Sequence, residues 1–319
     1  TVHRASGLEL EAAQIRFDAT STATLMVGSV HHGQGHATTF IQIVCDRLGL
    51  DPSQIRYVAG DTDMVTFGRG SFASRSAALG GSAVALASDK IIAKGRRIAA
   101  HLLEVADDDI TFADGRFTVS GTDQDVDLVQ VAKAAYQPAS LAPEIEPGLD
   151  ELAMFRPNAL NFPNGCHVAE IEIDPQTGTI EIVGYVVVDD FGTVINPLLL
   201  DGQIHGGLAQ GIGQAVMENV AFDQKTGQLL AGSFMDYCMP RADDLPTFEL
   251  AFNAVPTPTN PLGAKGAGEA GAVGALPAMM NAVVDALNPV GVEHVQMPAT
   301  PERIWRAIRD ATEMRPNRP

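Results

Sequence analysis

The sequence predicts an α+β fold, and three observations carry that prediction. Short runs with period-two alternation recur in both halves of the chain. Longer Ala-rich or amphipathic runs lie between them, and the two kinds mix without a strict βαβ repeat. Residues 15–18 and 23–28 alternate as strands. Residues 38–48 place Phe40, Ile41, Val44 and Leu48 on one face of a helix, and 55–59 form a further strand. A long Ala-rich segment, 74–104, carries small residues suited to close helix packing. Asp114-Gly115 between 110–112 and 117–119 is a hairpin signal.

Two mixed halves are expected, 1–140 and 165–319, joined by a Pro-rich, weakly periodic linker over 141–164. The second half opens with strands at 167–173 and 180–188, joined by Asp174-Pro175-Gln176-Thr177-Gly178; its 186–188 run is continuously apolar, as in a strand covered on both faces. A helix over 202–218 follows Asn196-Pro197, and helices at 275–287 and 301–311 close the chain. Thr300 supplies an N-cap to the last of these and Pro301 its first residue.

Composition narrows the function classes. The 319 residues hold 21 Lys and Arg against 39 Asp and Glu, a net charge of −18. That balance argues against a nucleic-acid or anionic-membrane surface. No apolar run approaches the ~20 residues that span a bilayer, and the segment after Thr1 is not a signal peptide. The chain does not begin with Met, so an upstream start is expected. Cys45, Cys166 and Cys238 are far apart and form no Cys-x-x-Cys, which excludes a disulfide framework and disfavours an iron–sulfur or zinc site built by this chain alone. These features together predict a cytoplasmic protein.

The most informative segment is Gly263-Ala264-Lys265-Gly266-Ala267-Gly268-Glu269-Ala270-Gly271. Repeated Gly lets backbone turn through positive φ or approach a neighbour closely, at an entropic cost an ordinary loop avoids. Glu269 falls just before a predicted helix, where the dipole favours a carboxylate by up to ~1 kcal/mol. Two readings fit: a positioned base set among small residues, or a Gly-rich turn with a capping Glu. Three further small-residue segments precede predicted helices, at 32–39, 70–77 and 201–207. Helix N-termini expose unpaired N–H groups that suit anions, so several in one chain predict a large polyanionic ligand. None is a mononucleotide fingerprint.

Other residues leave their readings open. Arg75 between Ser74 and Ser76 suits phosphate oxygens, or is a surface Arg at a helix start. Gly206, Gly207, Gly211 and Gly213 lie within a predicted helix, where each costs ~1 kcal/mol; close approach to a ligand and ordinary helix–helix contact explain them equally. His31, His32 and His36 cluster but lack the third ligand of a metal site, so no metal held by protein side chains is expected.

Taken together, the Gln34-Gly35 segment, Ser74-Arg75-Ser76, Asn196-Pro197, the 202–213 run and the 263–271 loop resemble, in order, the motifs of the molybdenum hydroxylases. This is the xanthine dehydrogenase and aldehyde oxidase family, and the likeness is greatest to carbon monoxide dehydrogenase-type large subunits. The resemblance spans about 15–309 and implies the family's molybdenum-cofactor-binding fold in two mixed halves. It implies a molybdopterin cofactor carrying molybdenum, as the cytosine dinucleotide. Gln34, Gly35, His36 and Thr38 would hydrogen-bond the pterin side. Ser74, Arg75 and Ser76 would meet the diphosphate, and Gln203, Lys265 and Gly266 would support the cofactor. Glu269 would be the base that activates the attacking oxygen.

Family large subunits are more than twice this length. The resemblance therefore makes the chain a C-terminal portion, either a natural split subunit or a fragment, inactive on its own. Expected partners are the N-terminal half of the large subunit, an iron–sulfur subunit and an FAD subunit, within a homo-oligomer. The resemblance implies oxidative hydroxylation of a small substrate with water-derived oxygen. A non-catalytic cofactor-carrying or assembly module is the alternative, less suited to a retained Glu269.

Overall fold

The computed structural model describes residues 1–5 and 9–313. Two hydrophobic cores organise the chain. The first is built on a four-stranded sheet ordered β3-β2-β1-β7, from β1 (Glu11–Phe17), β2 (Ala23–Val27), β3 (Ile55–Ala59) and β7 (Asp150–Phe155). Strand β1 pairs antiparallel with both β2 and β7, while β2 and β3 run parallel across helix α1 (His36–Leu48). Helices α1 and α2 (Gly81–Leu103) cover this sheet with Phe40, Val44, Val84, Ile91 and Ile98, all fully buried. A small sheet of β4 (Ile110–Ala113), β5 (Arg116–Val119) and β6 (Asp125–Asp127), with α3 (Leu128–Ala134), packs at the far end of α2.

The second core lies between a three-stranded sheet and a helix pair. Strands β8 (Asn164–Ile173) and β9 (Ile180–Asp190) pair antiparallel, and β10 (Phe248–Phe252) adds parallel to β9. Helices α4 (Pro197–Val216) and α5 (Ala270–Leu287) cross at their glycines: a Cβ on Gly271 would lie 2.8 Å from the Ile204 carbonyl, and one on Gly211 2.7 Å from the Ala275 Cβ. Helix–helix contact therefore explains Gly207 and Gly211. Helix α6 (Pro301–Glu313) closes this part.

Several expectations are corrected. The segment 141–164, expected as a linker, carries β7, and Leu141, Ile145, Leu149 and Ala153 belong to the first core. Helix α4 begins at Pro197, five residues before the predicted start. Asn196 caps it by accepting from the Leu199 N–H at 3.0 Å, so Asp201-Gly202-Gln203 lies within the helix and does not precede it. The 74–104 run is broken: Ala73 and Ser74 have left-handed φ of 49° and 53°, and a π-helical turn over Ser76–Gly80 leads into α2. Helix α5, continued to Val290, is long and apolar enough to cross a membrane, contrary to the expectation that no such run exists. Its buried Gly271, Gly274, Ala275, Met279 and Val283 pack on α4 and β8, as a core helix would.

Candidate active site

The loops that precede α1, α2 and α5, together with the first turns of α4, converge on one cleft of about 400 Å³ between the two cores. The 32–39 turn enters from the first half. Gly35, at φ 77°, supplies the N-cap of α1 without a side-chain cap bond, so the helix's leading amides stay open. His36 follows, 8% exposed and stacked on Phe40 with ring centroids 5.3 Å apart. Burial, and then the nearby His31, push its pKa down to about 4, so the imidazole is neutral; its buried Nδ1 has no hydrogen-bond partner. Gln34 lines the cleft but turns onto its own loop, accepting from the His32 N–H and donating to the Val30 carbonyl. Thr38 is exposed and faces away; Thr39 lines the cleft instead, donating to the Gly35 carbonyl at 3.1 Å.

The 70–77 loop forms the floor. Arg75 is fully buried, and its guanidinium is taken up by the equally buried carboxylate of Glu11 and by the carbonyls of Gly70 and Leu10. The surface reading of Arg75 is thus replaced by an internal ion pair that pins the loop. Its two terminal nitrogens are committed to protein oxygens, while the buried Nε has no hydrogen-bond partner. Ser76 donates to the Ser71 hydroxyl at 3.0 Å, and both face the cleft.

Glu269 reaches the cleft from the second half, at the N-cap of α5 but with no side-chain cap bond. The capping reading of Glu269 is therefore not what the geometry gives. Its Oε2 accepts from the Ser74 hydroxyl at 2.9 Å, and its own N–H donates to the same hydroxyl at 2.9 Å. Gly266 and Gly268 make this approach possible, since a Cβ on Gly266 would overlap the Ser74 carbonyl oxygen. Gln203 on α4 donates to the Gly268 carbonyl at 2.9 Å. Lys265 is paired with Asp190. Burial would raise the Asp190 carboxyl, but Lys265 and the amides of Gly192 and Val255 outweigh it and hold its pKa low.

The electrostatic result is specific. Among the described residues that line the cleft, Glu269 is the single carboxylate, and both cations of the lining, Arg75 and Lys265, are already paired. Among the described residues no three His, Cys, Asp or Glu side chains gather as a metal cage. What the cleft does offer is a set of polar groups suited to an organic ligand. The open amides of α1, the orphan His36 Nδ1 and the serine hydroxyls suit a hydrogen-bonding, anionic one. Sequence reasoning missed His3, Glu11 and Thr39. Of these, Thr39 falls within the 32–39 segment, while nothing in the local pattern marks His3 or Glu11.

Residues 2–246 match the family described as the molybdopterin cofactor-binding domain. The carbon monoxide dehydrogenase large chain of Hydrogenophaga pseudoflava is 39% identical over 303 residues, covering 94% of this chain and 37% of that protein. The nicotine 6-hydroxylase large subunit of Paenarthrobacter nicotinovorans is 36% identical, covering 98% of this chain and 38% of that one. A crystal structure of Cu,Mo-CO dehydrogenase in its carbon monoxide reduced state superposes with a TM-score of 0.89 at 35% identity, over 94% of this chain and 38% of that chain. This chain thus spans less than two-fifths of the length of these relatives. With the α+β fold, the cleft and the ordered motifs agreeing, the chain belongs to the molybdopterin cofactor-binding family of the molybdenum hydroxylases and corresponds to the C-terminal part of their large subunits.

Proposed function

We propose that the chain is the base-bearing part of a molybdenum hydroxylase, an oxidoreductase that inserts water-derived oxygen into a small substrate. One observation carries this reading: a lone carboxylate, Glu269, aligned at the mouth of a cleft whose cations are neutralised by protein partners. The cofactor, molybdopterin in its cytosine-dinucleotide form, supplies the two-electron acceptor at molybdenum when bound. Everything else falls to side chains of this chain and its partners.

Gln34, Gly35 and His36, with Thr39 in the place expected for Thr38, serve the pterin side. Neutral His36 offers Nδ1 as donor or acceptor without adding charge. Ser76 and Ser71 would offer their hydroxyls to the diphosphate, with Ser74 beside them. Arg75 acts at one remove, holding the loop through Glu11. Gln203, Lys265 and Gly266 fix the Glu269 loop, Lys265 by way of Asp190. Glu269 takes the proton from the oxygen that attacks substrate carbon. Its Oε1 is the atom free to do so, since no described residue donates to it. General-base action of this kind is worth ~10²–10⁴ in rate.

Two electrons leave the substrate and pass to an iron–sulfur subunit and an FAD subunit, partners proposed from the large-subunit relatives. Purification of the assembled enzyme, metal analysis and cytidine release on acid hydrolysis test the cofactor. One molybdenum and one cytidine nucleotide per chain, with dye-linked oxidation of substrate, is the expected result. Absence of both from active enzyme would contradict it.

A further inference from the structure

Ser74 belongs to the first half of the molecule and Glu269 to the second, 195 positions apart in sequence. The Ser74 hydroxyl has one proton to give and two lone pairs to fill. The Glu269 N–H points at the oxygen from 2.9 Å, and His3 Nε2 lies 3.4 Å away. Burial holds the pKa of His3 down even though Glu269 and Asp189 pull it up, so the ring is neutral near pH 7. The Glu269 N–H is directed at Oγ and the hydroxyl donates to Glu269 Oε2, with His3 Nε2 the third polar group at that oxygen. That bond engages Oε2, while no described residue donates to Oε1.

The loop is built to hold this contact. Ala73 and Ser74 both adopt left-handed backbone, a conformation that non-glycine residues take at a cost. The Arg75–Glu11 pair anchors the next residue, and Gly266 and Gly268 clear the space into which Ser74 fits. A strained loop held this firmly, delivering one hydroxyl to one carboxylate, has more than a capping purpose. The helix N-cap could be satisfied locally without it.

We propose that Ser74 is the positioning residue of Glu269: its hydroxyl, oriented by the Glu269 N–H and His3, aligns the carboxylate across the boundary between the two halves. The inference rests on Glu269 being the base. It assigns Ser74 to the alignment of that base, apart from any contact with cofactor.

The test uses the assembled enzyme that contains this chain, with Ser74→Ala, Ser74→Gly, Ser74→Asn, Glu269→Gln and the Ser74→Ala/Glu269→Gln pair. Ser74→Ala and Ser74→Gly should keep molybdenum content and leave KM within about twofold while kcat falls about 10–100-fold, the scale of a misplaced catalytic group. Ser74→Asn, whose amide donates and which tolerates left-handed backbone, should recover part of that loss. In the Glu269→Gln background, Ser74→Ala should change kcat less than about twofold. The melting temperature of the assembled enzyme gives an independent readout. Ser74→Gly should melt above Ser74→Ala, because it relieves the backbone, yet share its kcat defect. A kcat loss that tracks melting temperature, matches a loss of molybdenum, or is equally large without Glu269 would overturn the proposal. Wild-type turnover by Glu269→Gln would instead overturn the base reading itself, and Ser74's role with it.

Discussion

Arg75 and Glu11 form an ion pair in which both side chains are 0% exposed, and it joins the head of β1 to the loop that carries Ser74. Removing one partner of such a pair leaves the other charge buried and uncompensated, at a cost of about 3–5 kcal/mol. Arg75→Ala should therefore lower the denaturant midpoint of the chain sharply. Arg75→Met combined with Glu11→Leu should recover most of it, since apolar replacement of both charges is often neutral. Chemical denaturation of the three forms checks this. An Arg75→Ala chain of unchanged stability would return Arg75 to the role of a cofactor ligand.

Neutral, buried His36 makes stability depend on pH. Its folded pKa of about 4 lies below the unfolded value near 6.5, so between those limits the unfolded state binds more protons. Its contribution is complete above about pH 6.5 and is lost as pH falls toward 4, with a slope of up to about 1.4 kcal/mol per pH unit. His36→Phe should flatten that part of the profile while keeping the stack on Phe40. Melting curves across pH 4–7 measure it, and an identical slope in the variant would rule out this assignment.

Gly266 is required by its neighbour. A Cβ there overlaps the Ser74 carbonyl, which is backbone and cannot swing aside. Gly266→Ala should cost about 1–3 kcal/mol through overpacking and displace Ser74 from Glu269. Gly202→Ala, where a Cβ meets open space, serves as the control and should be neutral or mildly stabilising. Equal midpoints for the two variants would contradict the packing described.

The fold was legible where local pattern and local structure agree. The apolar face of α1, the β4–β5 hairpin with its Asp114-Gly115 turn, and strands β8 and β9 all announce themselves in the sequence, although Val186 and Val188 are exposed where a strand covered on both faces was expected. Strands β7 and β10 do not. Each is an edge strand completed by a partner far along the chain, Glu11–Arg16 for β7 and Tyr185–Asp189 for β10, so tertiary pairing decides them. At the site, Glu269 stood out because Gly and Ala surround it. What those glycines accommodate is Ser74, a residue 195 positions away, which no local pattern records. Arg75 illustrates the same limit: its neighbours suggest phosphate, while its partner, Glu11, lies 64 residues off.

The most direct test of the whole account is Glu269→Gln in the assembled enzyme, measured for molybdenum content and turnover on the same preparation. The substitution keeps the size of the side chain and an oxygen to accept from Ser74, but removes the proton acceptor. Full molybdenum and cofactor with kcat lowered by at least ~10²–10⁴ is the expected result. Normal turnover at full molybdenum loading would contradict it.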